Sequence, residues 1–420
     1  MKKGRKLLVK EMINENVLND IRKNIINRVV TTINNKSIIC IHGEYGVGIK
    51  DIVYKALDIL GIQTVLYTYR EDRYTFHKMV NRVKRMVDRE TINKALPVHV
   101  IIDNMYLNRS ILNKLKSKVV DNYPAKLIIL SPYRINAELV REYDGEAIEI
   151  KPLTFREYLA YKGIKVGEFP LDYQKLKMLY IENIDLSKEF EEYLQNGGLN
   201  VLVGRGFRNR REYINTLSEI LEQMINLSVQ LSKKRDYELM KSLISYLYLN
   251  PGTPIYYNKL SEMIGKDVRS LTNYLKNAYN TYLLLQLKNL ASGRRRARSN
   301  IKIYPYNHIL TYPIHMGRIE DEIYMGKVLG GLIARSIGAR YFWARGGKEI
   351  DLIWERDGET IPVSIRYIKR LTRREIKKVE TGFRKMGAKM GILVSKDIFD
   401  YVKKDVEIYI LPMWLFLLIA

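Results

Sequence analysis

The chain has 420 residues, 46% of them hydrophobic, and carries 71 Lys and Arg against 46 Asp and Glu, a formal charge of +25. That length predicts two or three domains, and the hydrophobic share excludes a disordered polyelectrolyte. The basic excess points to a polyanionic partner, nucleic acid before an anionic membrane, with a merely solvated basic surface as the alternative.

The N-terminal stretch MKKGRKLLVKEMINENV is basic but lacks the apolar core of a signal peptide. In chain order, SIICIHG (37–43), QTVLYTY (63–69), VHVIID (98–103), AKLIILS (125–131) and AIEIKPL (147–153) are near-continuous apolar runs, the pattern of strands covered on both faces. Helical patterns such as LNRSILNKLKSKVV lie between them. This alternation predicts a doubly wound α/β domain with ligands at the carboxyl ends of the strands. Cys40, the single cysteine, lies inside the first run; it excludes an intramolecular disulfide, suits a reducing cytoplasm and is expected to be a small buried hydrophobe.

Between the first strand and the first helix of this domain stands GEYGVGIKD (43–51). Gly43, Gly46 and Gly48 keep the spacing of a phosphate-binding loop, G-x-x-x-x-G-K-[ST], in which backbone N–H groups and a helix end hold phosphate. Ile49 stands where the phosphate-binding Lys belongs, and Lys50, followed by Asp51, where the hydroxyl for Mg²⁺ belongs. Asp103, ending VHVIID, is placed as a metal-binding carboxylate. Asn104 follows it in place of the Glu that polarises water, and an amide takes no proton. Ser131, at the end of the next strand, suits a polar sensor position. Three readings stay open: a structural remnant, a nucleotide site with little turnover, or a working ATPase using ATP and Mg²⁺. The three substitutions favour the remnant.

Residues 156–232 read as helical, punctuated by Gly197–Gly198. From 233 to 310, three helices and a hairpin have the layout of a winged helix-turn-helix. In its third helix (266–279) Val268, Leu271, Leu275 and Ala278 recur at core spacing, which leaves Arg269, Thr272, Asn273 and Lys276 for base edges and phosphates. The hairpin's ASGRRRARSNIK supplies Arg294, Arg295, Arg296, Arg298 and Lys302 for a minor groove or backbone, a solvated loop being the alternative. The basic cluster GRGFRNRR (204–211) and the basic amphipathic helix at 372–387 are weaker candidates. Beyond 310, a helix, three strand-like runs, that basic helix and the strand MGILVSK form a second, smaller α/β unit. The tail LPMWLFLLIA is about half as long as a bilayer span and reads as a last buried element.

In order and spacing, GEYGVGIK, VIIDN, LIILSPYR, IKPLTFREYL (against a PLSFxEYL segment), the glycine pair, TNYLKNAYNTYLLLQLKN and YFWARGGKEIDLIW resemble the archaeal and bacterial AAA+-type ATPases that carry a winged helix and a restriction-endonuclease-like C-terminal domain. The resemblance covers nearly the whole chain. It implies an α/β fold class: a P-loop AAA+-like parallel-sheet domain at 1–155, a helical lid at 156–232, the winged helix at 233–310 and a restriction-endonuclease-like α/β domain at 311–420. It also implies ATP with Mg²⁺ as cofactors and a homo-oligomer as the assembly.

Nucleases of that fold need a helix Glu, an Asp, and a Glu-x-Lys pair around a metal. Glu322 and Asp351 match the first two, while Ser364 and Arg366 stand at the pair. Arg is a poor proton acceptor and Ser a weak ligand, so Glu322 and Asp351 read as vestigial metal ligands and, with Glu349, as salt-bridge partners. The expectation is a cytoplasmic binder of double-stranded DNA that is neither an efficient ATPase nor a nuclease. An ATP-dependent DNA-handling motor and a basic protein-interaction module are the alternatives.

Overall fold

Five short apolar runs of the N-terminal region pair in parallel: β1 (Ile38–Gly43), β2 (Val65–Tyr69), β3 (Val98–Asp103), β4 (Ala125–Ser131) and β5 (Glu146–Ile150), in the order β2-β3-β4-β1-β5. They are seen in a computed structural model that describes residues 21–62, 65–69, 76–91, 97–167, 170–232, 235–292, 300–315 and 321–420. Helix α1 (Lys23–Asn35) precedes β1, and α2 (Ile49–Ile59), α3 (Phe76–Thr91), α4 (Arg109–Leu115) and α5 (Ala137–Arg141) supply the four crossovers. Every residue of β1 is buried, and Val100, Ile102, Leu127 and Ile129 of its neighbours pack with Val83, Val87 and Leu112 of the helices. Both faces are therefore covered, which is why these strands read as unbroken apolar runs. Because all five strands are parallel, Gly43, Asp103 and Ser131 end on one edge of the sheet.

The chain divides into two compact units, residues 1–153 with 199–205, and residues 154–198 with 206–420. The expected helical lid at 156–232 is thus not a body of its own: its 199–205 stretch belongs with the parallel sheet. The rest, α6 (Phe155–Tyr161), α7 (Tyr173–Glu182), α8 (Leu186–Asn196) and α9 (Arg210–Gln230), belongs with the second unit. Capping sets these boundaries: Thr154 and Glu157 form a reciprocal capping box before α6, and Gly197 ends α8 with φ of 60°.

The second unit continues with α10 (Tyr237–Leu249), β6 (Pro254–Ile255), α11 (Tyr257–Ile264), α12 (Val268–Asn280), β7 (Leu284–Asn289) and β8 (Ile301–Pro305). Then come α13 (Glu322–Ser336), β9 (Tyr341–Arg345), β10 (Lys348–Arg356), β11 (Glu359–Arg366), α14 (Arg373–Met386), β12 (Met390–Ser395), β13 (Asp400–Lys403), β14 (Glu407–Pro412) and α15 (Met413–Ile419). The boundary expected at 310/311 is corrected here. β7 pairs in parallel with β9, so hairpin and C-terminal strands form one nine-stranded sheet, β13-β14-β12-β11-β10-β9-β7-β8-β6. The apolar tail forms α15, buried throughout. Among the described residues no helix is long and apolar enough to cross a membrane.

Candidate functional site

At the carboxyl edge of the parallel sheet the chain leaves β1 through Gly43 and enters α2 at Gly48, with Gly46 and Gly48 at φ of 92° and 81°. Only glycine adopts this region without strain. A Cβ on Gly43 would lie 2.3 Å from the Ile150 carbonyl oxygen, on Gly46 2.8 Å from Val201 Cγ1, and on Gly48 2.5 Å from Asn200 Nδ2. The backbone N–H of Val201 also donates to the Gly46 carbonyl at 3.2 Å. Gly43 is therefore required by the close approach of the Ile150 backbone, and Gly46 and Gly48 by their left-handed conformation.

Lys50 leans from the first turn of α2 to Asp103, Nζ to Oδ2 at 2.7 Å. Asp103 is nearly buried and accepts the Asn104 N–H at 2.8 Å, while Asn104 itself takes φ of 57°. The residue standing in for a water-polarising Glu is thus a left-handed turn residue, a conformation Asn tolerates. Ser131 is buried; its hydroxyl donates to the Tyr133 carbonyl and accepts the Tyr133 N–H, both at 3.1 Å. Asp51 sits in the same turn, where burial raises its carboxyl pKa against the opposing pull of Arg22 and Lys50. His42, just before the loop, is driven down to about 4 by burial, with Glu149 opposing and Arg134 reinforcing.

These residues do not fit Mg²⁺. An ammonium occupies the position of the hydroxyl ligand and already neutralises the carboxylate that would share the metal. Among the described residues no three His, Cys, Asp or Glu gather as a metal site. Sequence reading missed two supports of the loop. Arg22, buried, donates to the carbonyls of Val47 and Lys151, each at 2.9 Å. Asn200 and Val201 lie against the glycines. Neither has a local signal, although the glycine pair just before Leu199 marks the return of the chain.

In the second unit α12 starts at Asp267, whose carboxylate accepts the Ser270 N–H at 2.9 Å. Leu271, Tyr274, Leu275 and Ala278 are buried. Val268, expected in the core, is exposed, whereas Tyr274, which that expectation did not include, is buried. Arg269, Thr272, Asn273 and Lys276 all face solvent on the opposite side. Arg294, Arg295, Arg296 and Arg298 lie outside the described residues.

Lys302 corrects an expectation. It is 1% exposed, and its ammonium meets Glu349 at 2.7 Å and Asp351 at 3.2 Å. It is therefore no surface contact for a phosphate. Burial acts against its charge, but Tyr304, Asp351 and Glu349 outweigh that and hold its pKa above the ordinary Lys range.

Asp351 also accepts the Ile365 N–H at 2.9 Å and lies 3.4 Å from Arg366. Burial would raise its carboxyl, yet Lys302, Arg366 and the Ile365 amide keep it below the usual Asp value. Glu322 turns elsewhere, to Lys396 at 2.9 Å, and Ser364 is buried. Glu322 and Asp351, expected as vestigial metal ligands, thus pair with separate lysines, of which Lys396 was not picked out from the sequence.

No family model and no curated protein matches the chain. Among solved structures, RuvB from Thermotoga maritima is similar at 14% identity and a TM-score of 0.33, over 64% of this chain and 88% of that one. A Drosophila ORC structure bound to AT-rich DNA and Cdc6 is similar at 10% and 0.25, over 76% and 99%. AMPPCP-bound DnaA from Aquifex aeolicus is similar at 14% and 0.24, over 62% and 87%. Likenesses this partial carry no weight beside the strand order and the side chains.

Proposed function

We propose that the chain is a duplex-DNA-binding protein on an AAA+-type P-loop scaffold, with a winged-helix unit that reads DNA and a nuclease-like C-terminal part that does not cut it. The observation that carries this is α12: a helix with one buried stripe and a solvent face of Arg269, Thr272, Asn273 and Lys276, followed directly by a β-hairpin. Such a face offers two cations to phosphates and two polar side chains to base edges in a major groove. The strand order with a glycine loop at the carboxyl edge of the sheet supports the scaffold. Lysines on Asp103 and Asp351 support binding without turnover or cleavage.

The test is a titration of fluorescent duplex at several salt concentrations, with and without Mg-ATP. Arg269, Lys276 and the hairpin arginines, each meeting a phosphate, should alone make log Kobs fall against log salt with a slope of about −5. An affinity independent of Mg-ATP is expected. A shallow slope, near −1, would remove the DNA reading.

A second reading rests on Lys50, whose side chain is 51% exposed. An ammonium this exposed can exchange its carboxylate for a phosphate in the loop, which would make nucleotide a modulator of DNA affinity. Under that reading Mg-ATP shifts the titration, and Lys50→Ala abolishes the shift.

A further inference from the structure

We infer that a second surface, on α14 and the β9–β10 turn, carries the backbone of the same duplex DNA in a sequence-independent manner. The inference rests on the DNA-binding reading above, but on different residues.

Helix α14 buries Val379, Gly382 and Phe383 against the sheet, with Ile376 and Met386 partly covered beside them. Arg374, Lys378, Thr381 and Lys385, spaced i, i+4, i+7 and i+11, then fall on one stripe of the opposite face. All three of the stripe's cations are exposed. At its end Lys385 Nζ lies 3.8 Å from where a Cβ on Gly346 would stand, so the stripe runs into the turn that carries Arg345 and Lys348. Among the described residues none of these five cations has an ion pair or a side-chain hydrogen bond.

The nearby carboxylates are otherwise engaged. Glu375 closes the capping box with Thr372, Asp405 holds Arg384 at 2.9 Å, and Glu349 holds Lys302. Glu380 is turned roughly 140° from the stripe.

The surface is also rigidly joined to the hairpin that follows α12. Asn289, at the end of β7, accepts the Ala344 N–H at 3.0 Å and donates to the Ala344 carbonyl at 3.1 Å. Arg345 is therefore anchored beside the base of that hairpin. The stripe is roughly 16 Å long at 1.5 Å per residue, and one DNA strand presents a phosphate about every 3.4 Å of helix axis. Its length is thus that of about five phosphates. It offers no aromatic or amide side chain to read a base, so its contribution is electrostatic and indifferent to sequence.

The experiment measures binding of two unrelated fluorescent duplexes across a salt series. It compares the full chain, an Arg374→Gln/Lys378→Gln/Lys385→Gln variant, an Arg345→Gln/Lys348→Gln variant and an Arg269→Gln/Lys276→Gln variant. The α14 triple variant is expected to lose about 2 to 3 units of salt slope, at about 0.9 per phosphate contact, equally on both duplexes. The turn variant should lose about 1 to 2. Unchanged slopes in both variants, with weakened binding only in the α12 variant, overturn this inference and leave the DNA reading standing. Failure of the unsubstituted chain to bind either duplex overturns both. A parallel series with a duplex RNA completes the set: slope changes in the α14 and turn variants on the RNA but on neither DNA duplex overturn the assignment to DNA.

Discussion

Asp103 and Asp351 stand in different sheets, yet both carry a lysine where a metal-binding site would place a divalent cation. The two pairs differ in exposure. Lys50 is 51% exposed and Lys302 1%. An exposed ammonium is exchangeable: it gains little from its partner and is released at small cost. A buried one is committed, because withdrawing it takes the nearest cation from Asp351, whose side chain is only 21% exposed, even though Glu349 can turn to water. The same chemical substitution thus gives a latch at one sheet edge and a structural pin at the other.

The largest effect should come from breaking the pin. Lys302→Met is expected to destabilise the second unit by about 3–5 kcal/mol, read as a lowered denaturation midpoint. A loss below about 1 kcal/mol would mean that Glu349 and Asp351 find water.

Acid should act on both regions. His42 and His308 have pKa values driven by burial to about 4 and about 3, in His42 with Arg134 reinforcing and Glu149 opposing; in His308 the Leu194 carbonyl bond opposes burial and Arg335 adds to it. The unfolded chain takes up these protons near pH 6.5 while the folded one refuses them. Stability therefore falls as pH drops from about 6.5 toward 3–4, by on the order of a few kcal/mol. Asp351 adds a later loss with the same sign: its folded pKa is depressed, so its contribution is complete above about 3.9 and disappears as pH falls through the folded value. Denaturant melts from pH 7 to 3, with His308→Gln and Asp351→Asn, separate the two windows. An unchanged limb in the His308 variant would remove that residue from the account.

Next comes the loop. Gly48→Ala should cost about 1–2 kcal/mol, from a left-handed backbone and the approach of Asn200. Lys50→Ala should be the mildest, at most about 1 kcal/mol. If Lys50→Ala proves as damaging as Lys302→Met, the distinction between latch and pin fails.

The same contrast explains what the sequence made legible. The parallel strands, the glycine loop, Asp103 and the solvent face of α12 follow from local periodicity, and they stand where periodicity puts them. Lys302 does not. In IKIYPY, alternation sends Lys302 to the face opposite Ile301 and Ile303, which would be solvent in a one-sided hairpin. Here every residue of β8 is buried, so that face meets Glu349 and Asp351. Period-two reasoning tells which side a residue takes, not whether that side is wet. Arg22, Asn200 and Lys396 escaped for a related reason: their partners are distant in sequence, and a single long-range contact leaves no period to read. β13 was missed because a four-residue strand, DYVK, with no buried residue has no apolar run to read, and β14, EIYILP, because its short apolar run merges with the tail that follows it.

The pairing of β7 with β9 also bears on how this protein can be cut into pieces. A fragment ended between β8 and β9 would bare the flank of β7, and its complement would bare the flank of β9. Each is an unprotected row of amide and carbonyl groups ready to recruit a neighbouring chain. Expression trials that treat the three-helix unit as a detachable module should yield aggregates, whereas a fragment keeping both strands retains the inner pairing.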